Sequence, residues 1–215
     1  MNKRARCPQC LRPPVACLCH TIKAIDNLVE IVILQHPSEV KHAKGTARIA
    51  ELSLNNCQLL IGEDFSIDQQ FNAIINNSAR QVMLLYPQDE AITPQQLTEQ
   101  LCQQASGVMS SDLTLSNLTI IVLDGSWKKA YKIYCLNPAL QTLPCVGIAV
   151  SDQSNYRIRK SSRSDSLSTI EACYHLLSEL EGQTHSFDSL LDSFDFMVDF
   201  QLQSMPSDVR ARYKA

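Results

Sequence analysis

The sequence lacks any apolar run long enough to cross a membrane. Its longest runs, such as residues 28–34, are far shorter than the roughly 20 residues that a spanning helix needs, and Glu30 interrupts that one. The first residues are basic, but the apolar stretch of a secretory signal does not follow them. We therefore expect a cytosolic protein with no membrane partner.

The sequence also lacks an excess of positive charge, since 19 lysines and arginines face 22 acidic residues. The basic residues are nevertheless clustered, and residues 176–200 contain acidic side chains but no lysine or arginine. The basic clusters are Lys3, Arg4, Arg6 and Arg12; Lys41, Lys44 and Arg48; Lys128, Lys129 and Lys132; and Arg157, Arg159, Lys160 and Arg163. This segregation is typical of a face that binds phosphates, although a solvated surface with chance clustering explains it equally well.

Tryptophan occurs only once, in the stretch Asp124-Gly125-Ser126-Trp127. The apolar residues 119–123 precede it and predict a buried strand that ends at the carboxylate. Gly125 permits a sharp turn, and Ser126 can cap a helix that begins at Trp127 and stops before Pro138. This pattern fits a ligand crevice with a carboxylate and nearby lysines, or an ordinary strand-to-helix turn.

Strand-like and helical segments alternate along the chain, which predicts an α/β fold with a mostly parallel sheet and helices on both faces. The predicted strands are residues 28–34, 58–61, 81–85, 119–123 and 145–150. Residues 43–52 read as a helix, and capping-box patterns at Thr93 and Ser168 predict two further helix starts. The apolar spacing of Phe187, Leu190, Leu191, Phe194 and Val198 predicts another helix, with this stripe in the core.

Four of the nine cysteines crowd the beginning of the chain, where Cys7 and Cys10 form a C-x-x-C knuckle and Cys17 and Cys19 a C-x-C pair. Four thiolates can close around one structural zinc ion, with an apparent binding free energy of about 10 kcal/mol. His20 can replace one thiolate, and a redox pair or unliganded thiols are the alternatives. We interpret residues 1–24 as a zinc-binding head and residues 25–215 as the catalytic domain. The other five cysteines read as core residues.

Six short motifs in order resemble the DTW-domain family: the cysteine head, QHPSE, LLYP, LDGSW with lysines after it, YRIRK and STIEA. They run from the first cysteine to Ala172, with serine at Ser126 where the family signature has threonine. The resemblance implies a fold related to the knotted SPOUT methyltransferases. It also implies a tRNA-uridine aminocarboxypropyltransferase, which moves the 3-amino-3-carboxypropyl group of S-adenosylmethionine to N3 of a uridine in tRNA.

The same resemblance implies roles for individual residues. Asp124 is the expected catalytic residue, which assists loss of the N3 proton or holds base and cofactor in line. The residues expected to bind S-adenosylmethionine are Tyr86, Pro87, Asp124, Gly125, Ser126, Trp127, Val146, Ser168 and Thr169. Trp127 is alternatively a structural wedge, and His36 is a weaker candidate at the end of the first strand.

The residues expected to contact tRNA are Lys128, Lys129, Lys132, Arg157, Arg159 and Lys160, together with the arginines of the head. Tyr156, Arg157 and Arg159 alternatively engage the carboxylate of the transferred arm. The competing functions are a SPOUT-type RNA methyltransferase and a non-catalytic zinc-ribbon RNA-binding protein. The sequence leaves the target uridine and the oligomeric state open.

Overall fold

A single parallel sheet organises the chain. The computed structural model describes residues 5–104, 114–148, 167–182 and 185–210. The strands are β1 (Glu30–Gln35), β2 (Cys57–Ile61), β3 (Gln81–Leu85), β4 (Leu118–Asp124) and β5 (Cys145–Val146). They lie in the order β2-β1-β4-β3-β5, and every pairing is parallel. The five predicted strands are confirmed, but the last is shorter than predicted: β5 ends at Val146, residues 147 and 148 are not in a strand, and residues 149 and 150 lie outside the described ranges.

Helices cover both faces of the sheet. They are α1 (Ala47–Ser53), α2 (Gln69–Ile75), α3 (Pro94–Gln104), α4 (Trp127–Leu136), α5 (Pro138–Gln141), α6 (Thr169–Glu181), α7 (Asp188–Gln203) and α8 (Ser207–Arg210). Short 3-10 helices occupy Pro14–Ala16 and Pro37–Glu39. Within the described ranges, no helix has the length and apolar character that crossing a bilayer requires.

Alternation along the strands divides the core into two clusters. Ile31 and Ile33 of β1 pack with α1, α3, α6 and α7, whereas Val32 and Leu34 pack with α2, α4 and α5. This period of two is expected of strands that are buried on both faces. The predicted α/β fold with helices on both faces is therefore confirmed.

Two predicted helix starts are capping boxes in the structure. At α3, the Thr93 amide donates to Gln96 Oε1 over 2.9 Å and the Gln96 amide donates to Thr93 Oγ1 over 3.2 Å. At α6, the Ser168 amide donates to Glu171 Oε2 over 2.8 Å, and Ser168 and Glu171 are both buried. At both helix starts, side-chain oxygens thus accept hydrogen bonds from backbone amides that have no acceptor within the helix.

Three details of the sequence interpretation are corrected. The helix predicted from residue 43 begins at Ala47, because the Gly45 amide closes a turn onto the His42 carbonyl at 3.0 Å. Helix α2 was not predicted from the sequence. Cys145 and Cys173 are buried as expected, but Cys102 and Cys135 are exposed on the outer faces of α3 and α4 and are not core residues.

The cysteine-rich head packs against the body of the protein. Leu18 is buried in the core cluster of α1, α6 and α7, and Ser193 Oγ of α7 donates to the Thr21 carbonyl over 2.8 Å. Arg48 of α1 donates from Nε to the Gln9 carbonyl over 2.8 Å. The head therefore lies on the face of the sheet that carries α1, α6 and α7.

The connections create a ligand crevice between β1 and β4. The chain leaves β1 towards β2 on one side, and it leaves β4 towards β5 on the other. Ligands of open α/β sheets bind at such a switch point, outside the carboxyl ends of the strands. Gln35 and Asp124 are the aligned last residues of β1 and β4, so both side chains stand at this position.

Candidate active site and metal centre

A cleft of about 290 Å³ opens at the carboxyl ends of β1 and β4. Three pieces of chain form it: the segment after β1, the turn after β4 and the beginning of α6. The lining residues are Glu39, His42, Lys44, Gly45, Thr46, Asp124, Gly125, Ser126, Lys129 and Thr169. The structure thus brings together four of the predicted cofactor residues and one predicted RNA residue.

Asp124 is the buried anion of the cleft. Its Oδ2 accepts a hydrogen bond from Gln35 Nε2 at 2.8 Å, and its Oδ1 accepts one from Thr169 Oγ1. Only 7% of the residue is exposed. Gln35 and Thr169 thus fix the orientation of the carboxylate, with one hydrogen bond to each of its oxygens.

Gly125 allows the backbone at the end of β4 to pass close to Lys129 and His36. A Cβ at this position would lie 2.9 Å from the Cβ of Lys129 and 3.6 Å from that of His36. Ser126 is the residue before α4, as predicted, but its side chain makes no capping hydrogen bond. Trp127 begins α4 and is 38% exposed, outside the lining of the cleft.

Two ion-pair groups tie α4 to the segments that follow β1 and β2. Lys129 Nζ lies 2.6 Å from Glu39 Oε1, and Lys132 contacts Glu63. His36 Nε2 lies 2.5 Å from the other oxygen of Glu63, while its Nδ1 accepts from the Ser38 amide at 3.2 Å. The hydrogen bond from Lys132 lowers the pKa of Glu63. Two of the lysines predicted to bind RNA are therefore paired with carboxylates.

The remaining predicted cofactor residues lie elsewhere. Tyr86 stacks on Tyr134 of α4, with ring centroids 4.9 Å apart, and its amide donates to the Val146 carbonyl over 3.1 Å. Pro87 follows Tyr86 and is exposed, whereas Val146 is fully buried. These residues stand at the ends of β3 and β5, and Ser168 is buried as the cap of α6. Tyr156, Arg157, Arg159 and Lys160 lie outside the described residues.

Sequence reasoning missed most of one wall of the cleft. The residues concerned are Glu39, His42, Lys44, Gly45 and Thr46. The available signal was the QHPSE motif, because it begins at the last residue of β1 and reaches Glu39 four residues later, at the sheet edge where ligands of parallel sheets bind. The residues beyond it carry no comparable pattern, and the tertiary fold alone brings them to Asp124.

The four cysteines of the head form a centre that can hold a metal ion. Their Sγ atoms all lie within 4.8 Å of one another, with Cys7 3.5 Å from Cys19 and Cys10 3.7 Å from Cys17. Four sulfurs around a tetrahedral zinc ion are roughly 3.8 Å apart, given Zn–S bonds of about 2.3 Å. The geometry therefore fits a closed four-thiolate site.

The surroundings of the four cysteines favour the thiolate form of Cys7. Backbone hydrogen bonds from Cys10 and Gln9 lower the pKa of Cys7 to about 6, and burial raises the pKa of Cys19 to about 12. Leu11 takes a positive φ of 59° so that its amide reaches the Cys7 carbonyl at 3.0 Å. His20 is outside the cluster, because its ring packs against Phe196 at 4.8 Å.

These features define an α/β protein with a switch-point cleft around a buried carboxylate and a four-cysteine centre. The model of the DTW domain family matches residues 4–202, and the chain therefore belongs to this family. The family membership inferred from the six motifs is confirmed.

The chain is similar to curated proteins along most of its length. It is 28% identical over 211 residues to tRNA-uridine aminocarboxypropyltransferase 2 of Drosophila melanogaster, covering 94% of this chain and 77% of that protein. The Macaca fascicularis protein of the same name is 29% identical over 208 residues, and the chain spans 65% of its length. tRNA-uridine aminocarboxypropyltransferase A of Arabidopsis thaliana is 40% identical over 57 residues, 26% of this chain and 22% of that protein. No solved structure matches the chain.

Proposed function

We propose that this protein is a tRNA-uridine aminocarboxypropyltransferase that transfers the 3-amino-3-carboxypropyl group of S-adenosylmethionine to N3 of a uridine in tRNA. The observation that carries the proposal is the buried Asp124 carboxylate, which stands in a switch-point cleft and within the signature of the DTW family. Curated relatives that the chain matches over 94% of its residues carry the name of this activity.

The central task of the cleft is orientation. S-adenosylmethionine supplies a sulfonium with three electrophilic carbons, so the protein must select the carbon of the four-carbon arm that meets the nucleophile. The donor set fits this ligand, because the cleft lining carries the acidic groups of Asp124 and Glu39 and the basic groups of Lys44 and Lys129, the last paired with Glu39. The amino-acid arm of S-adenosylmethionine carries an ammonium and a carboxylate group, so its binding site needs groups of both charges.

Asp124 is proposed to act on the uridine or to hold it in line with the cofactor. As N3 forms a bond to the carbon of the arm, the bond between that carbon and sulfur breaks and 5′-methylthioadenosine leaves. Uridine N3–H is a weak acid and loses its proton in this step, so a fixed acceptor beside it assists the reaction. Gln35 and Thr169 hold both carboxylate oxygens and prevent the side chain from rotating away. Thr169 starts α6, whose N-terminal amides also favour an anionic ligand group.

Nucleoside mass spectrometry of tRNA incubated with purified protein and S-adenosylmethionine tests the function. A uridine that gains the aminocarboxypropyl mass supports the proposal, and fragment mapping then locates the uridine. A methyl-sized gain would identify an RNA methyltransferase instead. Tight tRNA binding without any gain in mass would point to a non-catalytic RNA-binding protein.

The variant Asp124→Asn tests the role of the carboxylate. We expect it to lose most of the transfer activity, because an amide cannot take up the N3 proton and presents a donor to Gln35 or Thr169. The matched control is Asp192→Asn, the same substitution at an exposed residue of α7. If Asp124→Asn bound S-adenosylmethionine and kept full activity, the catalytic role would be wrong.

We propose that the metal of the cysteine centre is a structural zinc ion, since four thiolates complete its coordination shell. Elemental analysis of the purified protein should find one zinc ion per chain. Cys10→Ser should lose it and Cys102→Ser, at an exposed cysteine of α3, should retain it. Full zinc occupancy in Cys10→Ser would contradict the assignment.

We also propose a SPOUT-like, knotted path for the chain. The parallel sheet with β4 inserted between β1 and β3 supports this proposal. An experimental structure with S-adenosylmethionine bound, in which residues 149–166 can be traced, tests it. A chain that passes outside the loops at the ends of β3 and β4 would contradict it.

A further inference from the structure

Arg12 connects the cysteine centre to the wall of the cleft. Its Nη1 donates to the Ala43 carbonyl over 2.6 Å, and its Nη2 donates to the Gly45 carbonyl over 2.9 Å. Nη2 also contacts the sulfur of Met197, a buried residue of α7. The half-buried side chain that the sequence suggested as a phosphate contact thus bonds to the backbone of the protein.

The carbonyls that Arg12 binds belong to a segment that shapes the cleft. His42, Lys44, Gly45 and Thr46 line the cleft, and we call residues 42–46 the cleft wall. Two further hydrogen bonds, from α7 and α6, also hold the cleft wall. Gln201 of α7 donates to the Ala43 carbonyl over 2.8 Å, and the Ile170 amide of α6 donates to Thr46 Oγ1 over 3.4 Å.

The knuckle in turn fixes the backbone at Arg12. The Cys7 amide donates to the Arg12 carbonyl over 2.8 Å, and the Leu11 amide donates to the Cys7 carbonyl over 3.0 Å. A metal ion bound to Cys7 and Cys10 would hold this loop closed. Without the metal, thiols have no bond that keeps the loop in this conformation, and the position of Arg12 depends on weaker contacts.

We propose that Arg12 is a positioning residue that couples metal binding in the cysteine centre to the shape of the cleft. Metal binding closes residues 7–12, the loop places the guanidinium, and the guanidinium holds the cleft wall in the conformation that binds ligand. Only the identity of the ligand, S-adenosylmethionine, rests on the proposed function. An arginine suits this role, because its planar fork can bond two carbonyls at once, whereas a lysine ammonium reaches them as a point charge.

Hydrogen–deuterium exchange measures this coupling without any ligand. The amides of His42 and Gly45 are hydrogen-bonded, to the carbonyls of Glu39 and His42 respectively, and report on the cleft wall. We expect faster exchange in peptides covering residues 42–46 in Arg12→Ala, with unchanged exchange in β1 and β4. The exchange rate of residues 42–46 in Arg12→Lys should lie between the rates in Arg12→Ala and in the wild type. Arg12→Lys also replaces Arg12→Ala in this test if Arg12→Ala does not fold.

Removing the metal with a chelator should have the same effect as Arg12→Ala. If metal acts on the cleft wall through Arg12, chelation of Arg12→Ala adds little further exchange in residues 42–46, so the two changes are not additive. The matched control is Lys23→Ala, which removes the exposed pair between the head and Asp192 of α7 at 3.4 Å. This variant should exchange like the wild type.

Binding of S-adenosylmethionine, measured by isothermal titration calorimetry, gives the functional consequence. We expect its Kd to rise about tenfold in Arg12→Ala, because two charge-assisted hydrogen bonds no longer support the cleft wall. Wild-type exchange in residues 42–46 of Arg12→Ala would overturn the proposal. Faster exchange there in a protein whose wild type binds no S-adenosylmethionine would retain the coupling and reject the proposed function.

Discussion

At the scale of single residues, the turn after β4 depends on the absence of a side chain at Gly125. The nearest atom to an added Cβ would be the Cβ of Lys129, which is fixed to the backbone of α4 and cannot rotate away. Gly125→Ala should therefore displace the start of α4 and lower the free energy of unfolding by about 1–3 kcal/mol. Urea unfolding measures this loss.

The neighbouring Ser126 provides the control for that substitution. Its side chain is exposed and makes no capping hydrogen bond, so Ser126→Ala should leave the free energy of unfolding nearly unchanged. Equal stability of Gly125→Ala and the wild type would show that α4 can shift at no cost, and the steric argument would be wrong.

The contact between Lys132 and Glu63 predicts a pH dependence. The hydrogen bond from Lys132 is the main reason why the pKa of Glu63 lies below its ordinary value of 4.5. A carboxyl with a lowered folded-state pKa stabilises the protein above its unfolded-state pKa, and this contribution is lost as the pH falls through the folded-state pKa. Lys132→Gln should thus lower Tm slightly at pH 7, and this difference should disappear as the pH falls below the folded-state pKa of Glu63.

NMR titration of the Glu63 carboxyl tests the cause directly, since its pKa should rise in Lys132→Gln. Lys128→Gln changes the same charge on the same helix but removes no ion pair among the described residues, and it should leave the pKa of Glu63 nearly unchanged. A pKa of Glu63 that is the same in the wild type and in Lys132→Gln would contradict the assignment.

At the scale of secondary-structure elements, Glu181 fastens the end of α6 to the segment that enters β1. Its two carboxylate oxygens accept hydrogen bonds from the amides of Leu28 and Val29, at 2.8 and 2.9 Å, and the residue is 2% exposed. Glu181→Gln places an NH₂ group against one of these amides. We expect the free energy of unfolding to fall by about 1–3 kcal/mol, because a buried donor loses its acceptor.

The matched control for this change lies two residues earlier on α6. Glu179 is exposed and accepts one hydrogen bond, from Gln95 at 2.7 Å, so Glu179→Gln should have an effect below about 1 kcal/mol. Urea unfolding of both variants makes the comparison. Equal losses would mean that Glu181 does not hold α6 to β1.

The same elements show which features could be predicted from the sequence. The starts of α3 and α6 were predictable, because a capping box lies within four consecutive residues and both partners are visible in the sequence. The amides of Leu28 and Val29 are 153 and 152 residues from Glu181, and Gln58 and Thr119, which donate to Glu30, lie on β2 and β4. The sequence presents Glu30 only as an interruption of an apolar run, whereas in the structure it accepts from Thr119 Oγ1 at 2.7 Å.

In the candidate site, too, the features that depend on neighbouring residues could be predicted, and those that depend on distant residues could not. Asp124 and Gly125 were predictable, because a strand signal ends directly before them, and Thr169 followed from the helix start beside it. The cleft wall was not, because residues 43–46 were assigned to the helix that begins at Ala47, and their place beside Asp124 depends on contacts with α6, α7 and the head. The sequence suggested Arg12 as a phosphate contact and gave no sign of its hydrogen bonds to the Ala43 and Gly45 carbonyls, which lie 31 and 33 residues away.

At the scale of the whole molecule, the fold separates basic residues of the head from those of α4. The head, with Arg12 and the Arg48 contact, lies on the face of α1, α6 and α7, where both guanidiniums bond to backbone carbonyls. The lysines of α4 belong to the opposite face. The head and α4 therefore lie on opposite sides of the sheet, and Lys44 of the cleft wall and Lys129 of α4 both line the cleft.

This distribution predicts which lysine of α4 contributes most to tRNA binding. Lys128 is exposed and forms no ion pair within the described part of the chain, whereas Lys132 would have to leave Glu63 before it could contact a phosphate. Lys128→Ala should weaken tRNA binding and reduce the slope of log K against log salt by about one. Lys132→Ala should change this slope less, since its charge is already neutralised. Fluorescence anisotropy with unmodified tRNA at several salt concentrations measures both slopes. A larger reduction of the slope in Lys132→Ala than in Lys128→Ala would contradict this prediction and show that the ion pair with Glu63 opens when tRNA binds.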